Sequence, residues 1–110
     1  MMYTYTATVV RIVDGDTLVL LFDLGFHIYH ETRVRLRGVN CPERFTPEGK
    51  ASTAFLHTVC PVGTVCSVAT IKDTTDKYGR YVAVISVAKG DVSSLLIEHG
   101  HGLALAGRSD

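Results

Sequence analysis

The chain has 110 residues, 46% of them apolar and 20% charged, and its 11 basic residues balance its 11 acidic ones. That length sets the expectation of a single domain over residues 1–110, able to fold around one core without disulfides. The neutral balance excludes a protein that coats nucleic acid by bulk electrostatics, though not one that grips a single phosphate at a time.

Residues 3–13, rich in Thr, Val and Tyr, read as a first strand. Its apolar phase runs Tyr3, Tyr5, Ala7, Val9 and then shifts to Val10 and Ile12, so a bulge is expected near Val9. Asp14-Gly15 is a hairpin-turn dipeptide, and residues 17–22 supply the returning strand. A third strand is expected over residues 32–39, with Val34 and Leu36 facing one way and Arg33, Arg35 and Arg37 the other. Thr46-Pro47 has the cap and first-turn residues of a helix. Ala51, Ala54, Phe55, Thr58 and Val59 follow at the spacing of one buried helical face. Two further strands, residues 64–71 and 81–87, flank a polar loop over residues 72–77. Asp91 caps a short last helix carrying Val92, Leu95, Leu96 and His99, and Gly100 ends it. The expected fold is mainly β with α: a five-stranded OB-type β-barrel, a helix after strand 3 and a short C-terminal helix.

Cys41, Cys60 and Cys66 form no CxxC pair, and the histidines show no zinc-ligand spacing. Scattered, odd-numbered cysteines argue against a disulfide framework. No apolar run approaches the about 18 residues that cross a bilayer, and residues 1–6 lack the basic start and apolar stretch of a signal peptide. A cytoplasmic protein with no membrane partner is expected, although a trimmed secreted form would read the same.

Three segments concentrate chemistry. Asp14-Gly15-Asp16-Thr17 places two carboxylates around a tight turn. Arg35-Leu36-Arg37-Gly38-Val39-Asn40-Cys41-Pro42-Glu43 and Asp76-Lys77-Tyr78-Gly79-Arg80 add guanidinium groups, an amide and a carboxylate. Together they offer oxygen ligands for a hard cation, a carboxylate able to take a proton from water, and two arginines able to fork onto phosphate oxygens. Phosphodiester hydrolysis needs those parts. Each segment alone reads more readily as a hairpin turn, a solvated strand face or a surface loop.

Their order and spacing, continued by Leu95-Leu96-Ile97-Glu98-His99-Gly100, resemble the staphylococcal (micrococcal) nuclease family over nearly the whole chain. The resemblance implies an OB-type barrel that hydrolyses DNA and RNA with one Ca²⁺, preferring single-stranded substrate and leaving 3′-phosphate ends. It implies Asp16, Asn40 and the Cys41 backbone carbonyl as metal ligands, with Asp14 supporting them. It implies Glu43 as general base, Arg35 and Arg80 as phosphate clamps, and Tyr78 at the phosphate of the bound nucleotide. Lys77 is a further candidate for substrate binding, and Lys72 and Arg44 for steering nucleic acid. Many members of the family carry Asp where this chain has Asn40; an amide still coordinates Ca²⁺ but removes a negative charge, so millimolar calcium is expected to be needed. The family commonly has a tyrosine beyond the last helix, and here Gly102-Leu103-Ala104-Leu105-Ala106-Gly107 has no aromatic. A monomer or weak homo-oligomer is expected. The competing reading is an OB-fold module that binds nucleic acid or a protein ligand without cleavage; the surviving Asp16, Glu43, Arg35 and Arg80, the neutral composition and the lack of an aromatic stacking platform count against it.

Overall fold

The computed structural model describes residues 3–72 and 81–105. In chain order the elements are β1 (Tyr3–Asp14), β2 (Thr17–Asp23), β3 (Tyr29–Leu36), β4 (Val39–Asn40), α1 (Pro47–Val59), β5 (Val65–Lys72), β6 (Tyr81–Val87), β7 (Gly90–Asp91), α2 (Val92–Glu98) and β8 (Leu103–Ala104). Strand order is β3-β2-β1-β5-β6-β7, and a parallel pairing of β3 with β6 closes five of these strands into an OB-type barrel. Alternation builds its wall in β3, β5 and β6, where Val34, Leu36, Val68 and Ile85 are fully buried, whereas β2 is buried continuously from Thr17 to Leu20. Each buried aliphatic side chain contributes about 1.5–3 kcal/mol. Among the described residues no helix is long and apolar enough to cross a membrane.

The expected shift in β1 is present. Val9 pairs with Leu20 and Arg11 with Val19, leaving Val10 as the extra residue. Val10 stays exposed, however, while Ala7, Val9 and Ile12 go inside. The extra residue lets β1 pair with β5 on one side and bend with β2 on the other.

The third strand ends earlier than its sequence suggests, at Leu36 and not at residue 39. Gly38 takes φ +77° and turns the chain, so Val39 starts a new short strand with its side chain fully buried and Asn40 exposed. β4 then pairs with β8, Val39 to Ala104 and Asn40 to Leu103. The tail after α2 therefore lies directly beside Asn40.

Helix α1 starts as expected. The Thr46 hydroxyl accepts the Gly49 N–H at 3.0 Å, and Pro47 occupies the first turn, where its missing donor costs nothing. Its buried face is only in part the expected one: Phe55 and Val59 pack against the core, but Gly49, Ser52 and Leu56 are its fully buried residues, and Ala51, Ala54 and Thr58 are exposed. Close contact set by small residues has won over apolar count. A Cβ on Gly49 would lie 1.7 Å from the Glu43 carbonyl oxygen, and the Ser52 hydroxyl bonds to the His101 carbonyl. Asp91 caps α2 by accepting the Ser94 N–H at 3.0 Å. His99 is exposed at its end, with its ring 4.8 Å from that of Phe55.

Candidate active site

Asp14 and Thr17 pair across the first hairpin, so its turn is Gly15-Asp16 and Asp14 is the last residue of β1. The turn is drawn inward. Asp14 Oδ1 accepts the Asp16 N–H at 3.1 Å, and the Asp16 carbonyl accepts the Leu36 N–H at 2.8 Å. The Asp16 carboxylate is 9% exposed; Oδ2 accepts the Cys41 N–H at 3.0 Å and Oδ1 the Thr17 hydroxyl at 3.2 Å. Gly15 does not take a left-handed conformation here. Its role is close approach: a Cβ would lie 2.8 Å from Ser52 Cβ and 3.0 Å from Cys41 Cβ.

Arg35 faces outward from β3 between the buried Val34 and Leu36. One of its terminal nitrogens donates to Asn40 Oδ1 at 3.3 Å and lies 3.9 Å from Asp16 Oδ2. One guanidinium thus sits between the carboxylate and amide expected to share a metal. Arg33 is exposed on the same outer face, with Arg37 half-buried beyond Leu36.

Glu43 is exposed, and its carboxylate forms no hydrogen bond or ion pair with the described residues. Its backbone is firmly held. The Glu43 carbonyl accepts both the Thr46 hydroxyl at 2.7 Å and the Thr46 N–H at 3.0 Å, and lies against Gly49. A free carboxylate on a pinned backbone is available to a proton from water. Arg44, considered for steering substrate, instead donates to the Val13 carbonyl at 3.4 Å and lies 4.6 Å over the Phe45 ring.

Burial raises the Asp16 carboxyl above the ordinary carboxylate value, and the adjoining Asp14 carboxyl adds to the rise. The Cys41 amide and the Arg35 charge act against it. Burial next to Asp16 and Asp14 pushes the Cys41 thiol up to about 12, so it stays protonated at neutral pH. Its contribution to the site is its backbone.

The fold therefore gathers Asp14, Asp16, Arg35, Asn40 and Cys41, and joins Glu43 to them through the chain. Arg80, Tyr78 and Lys77 lie outside the described residues. The sequence gives no role to Thr17, whose hydroxyl bonds the adjacent Asp16 carboxylate, or to Gly49, whose missing side chain admits the Glu43 carbonyl; both effects depend on how the backbone folds. Among the described residues no group of three or more His, Cys, Asp and Glu side chains converges. An ion here would draw on the Asn40 amide and the Cys41 carbonyl as well as Asp16. That set is all oxygen, as a hard cation requires, and Arg35 already places positive charge between two of its members. The residues fit such an ion.

Fold and site define an OB-type barrel with a cluster of oxygen donors and a guanidinium on its rim. The family profile of staphylococcal nuclease homologues matches residues 33–109, well over half of the sequence, and the chain belongs to that family. The match takes in Arg35, Asn40, Cys41 and Glu43, and also Lys77, Tyr78 and Arg80. Asp14 and Asp16 precede it; folding brings Asp16 to Arg35 and Cys41. No curated protein matches the chain.

Proposed function

We propose that the chain is a calcium-dependent nuclease that hydrolyses phosphodiester bonds of DNA and RNA, single-stranded substrate preferred. Its family supports a nuclease relationship. The observation that carries the reading is the Arg35 guanidinium between Asp16 and Asn40, on the rim from which the Glu43 loop departs.

Asp16, Asn40 and the Cys41 carbonyl would hold one Ca²⁺, with Asp14 fixing the turn through the Asp16 N–H. Such an ion supplies Lewis-acid polarisation of the phosphate and of nearby water. Arg35 forks onto non-bridging phosphate oxygens and stabilises the charge that grows there, a contribution of about 10²–10³-fold for one well-placed donor. Arg80 acts as the second clamp, and Tyr78 and Lys77 contact the nucleotide. Glu43 removes the proton from the attacking water as the bond to the 5′-oxygen breaks. With the neutral Asn40 in the cage, free protein binds calcium at millimolar levels.

The test is cleavage of denatured DNA with excess Ca²⁺, with EDTA, and by a Glu43→Ala variant. Cutting is expected only with calcium, and roughly 10²–10⁴-fold slower in the variant. Folded, calcium-saturated wild-type protein that leaves the DNA intact overturns the reading and makes a non-cleaving binding barrel the better one.

A further inference from the structure

The outer face of the first three strands carries cations that the candidate site does not use. Leu18, Leu20 and Val34 belong to the core, so the two-residue period turns Val19, Arg33 and Arg35 outward. Register then orders that face. Val19 pairs with Arg11 of β1 on one side and with Arg33 of β3 on the other. Directly paired residues share a face of a sheet, so Arg11, Val19 and Arg33 form one row across the strands. In the next row Thr17 pairs with Arg35 and with Asp14, and that row leads into the Gly15-Asp16 turn. Arg33 therefore stands two residues from Arg35, about 7 Å along the strand. Arg11 stands about 10 Å from Arg33, across two strand spacings.

Charge in this row is not offset as it is at Arg35. Asp16 lies 3.9 Å from Arg35 and Asn40 bonds to it. Arg11 and Arg33 are exposed, and among the described residues neither makes an ion pair or a side-chain hydrogen bond. Val19 between them is 8% exposed although it faces outward, so the two charges stand at either end of a closed apolar step. Glu31, paired with Leu21 in the row beyond, ends the positive strip. Three guanidinium groups so placed suit a run of phosphates: a single strand carries one negative charge per nucleotide and is flexible enough to follow them. Such a row fixes the position of a backbone and reads no base.

We propose that Arg33 and Arg11 form a phosphate track that carries a single strand away from Arg35 across the outer face of β3, β2 and β1. The two arginines reach phosphates beside the one that Arg35 holds, so they act on strand binding and leave the reacting atoms alone. The identity of the ligand rests on the nuclease reading. Holding the strand does not require cutting it.

The experiment is fluorescence anisotropy in EDTA, with a labelled single-stranded oligonucleotide over a series of salt concentrations. The proteins are the full chain, its Arg33→Gln and Arg11→Gln variants singly and together, Arg33→Lys, and Lys89→Gln. Lys89 is an exposed cation at the end of β6 that does not meet β3. Each glutamine variant of the two arginines is expected to bind every oligonucleotide sequence more weakly. The slope of log K against log salt becomes shallower by about 0.7 in each and by about 1.4 in the double variant. Arg33→Lys keeps most of the slope, and Lys89→Gln keeps all of it. With calcium, KM for the oligonucleotide rises in the glutamine variants of Arg33 and Arg11, while kcat and the KM for a dinucleotide hold. An unchanged slope in both single variants, or an equal loss in Lys89→Gln, overturns the track. A polyglutamate that competes as well as the oligonucleotide overturns its assignment to nucleic acid. Binding that needs both arginines, without any cleavage in calcium, removes the nuclease reading and leaves the track standing; cleavage whose KM ignores both substitutions does the reverse.

Discussion

The hairpins β1–β2 and β2–β3 share a strand and end in opposite ways. The Gly15-Asp16 turn is packed beneath α1, its carboxylate buried and bonded to Cys41 and Thr17. The second turn stands in solvent. Phe26 and His27 take φ +56° and +60°, Ile28 N–H donates to the Gly25 carbonyl at 2.9 Å, and Phe26 is 95% exposed. In the first, tertiary contact holds a charged residue where isolated chain would leave it in water. In the second, the ladder hydrogen bonds hold two bulky residues in a conformation that normally favours Asn or Gly. Local strain and functional placement are separate devices, and this barrel uses them at different corners.

The largest stability effect expected from that contrast is at the two turn glycines. Gly15→Ala forces a methyl against the Cβ atoms of Ser52 and Cys41, neither of which can swing aside, and should cost about 2–3 kcal/mol. Activity should fall as well, since α1 and the Cys41 backbone must shift. Gly25→Ala meets nothing within 4 Å and is disfavoured only by its φ of +79°, at about 1–2 kcal/mol, with cleavage unaffected. Urea denaturation of both variants checks the pair. Equal losses would mean that the packing of α1 on the first turn relaxes more readily than its contacts imply.

Much of this architecture is legible in the residues themselves. The bulge in β1, the Thr46-Pro47 helix start, the Asp91 cap and the span of β6 depend on local chemistry and lie where local chemistry puts them. What local pattern missed depends on distant partners. Of the α1 face, apolar spacing finds Phe55 and Val59 but not Gly49 and Ser52, which are selected by contacts with Glu43 and His101 that no apolar count registers. The pairing of Leu103 with Asn40 brings together positions with no shared local signal. The cavity lined by Tyr3, Tyr5, Phe22 and Tyr81 has no sequence signal, because these residues form no cluster in the chain and meet only when the barrel closes. In the candidate site, Asp16, Arg35, Asn40 and Cys41 were identifiable by resemblance, whereas the Arg35–Asn40 bond and the protonated Cys41 thiol needed the fold.

On the proposed function, calcium should separate the packed turn from the strained one through pH. Since the folded state raises the Asp16 carboxyl, folded protein holds that proton more tightly than unfolded chain does. The penalty of the bare carboxylate is therefore absent below the ordinary value of 3.8 and grows as pH rises through the folded value. Bound at Asp16 as proposed, calcium would compete with the proton for the same oxygens. At ten times its dissociation constant it should stabilise the protein by about 1.4 kcal/mol at neutral pH, or roughly 5 °C in Tm, and by progressively less toward acid. Thermal melts across pH, with and without calcium, measure this; Asp16→Asn should remove both the calcium shift and its pH dependence. A shift of the same size in that variant would place the ion elsewhere.

The smallest effect is expected at the strained turn, and it runs in the opposite direction. Replacing Phe26→Asn together with His27→Gly supplies residues that accept left-handed backbone, and it leaves the Gly25–Ile28 hydrogen bond in place. The gain should be about 1 kcal/mol, since strain is relieved but glycine at residue 27 also adds freedom to the unfolded chain. Tm should rise by a few degrees, with cleavage and calcium response unchanged, because among the described residues no hydrogen bond or ion pair joins this turn to Asp16 or Arg35. Should the stabilised variant instead cleave poorly, the exposed Phe26 would belong to the substrate path. The strain would then have a functional cause, and the two corners of the barrel would be parts of one binding surface.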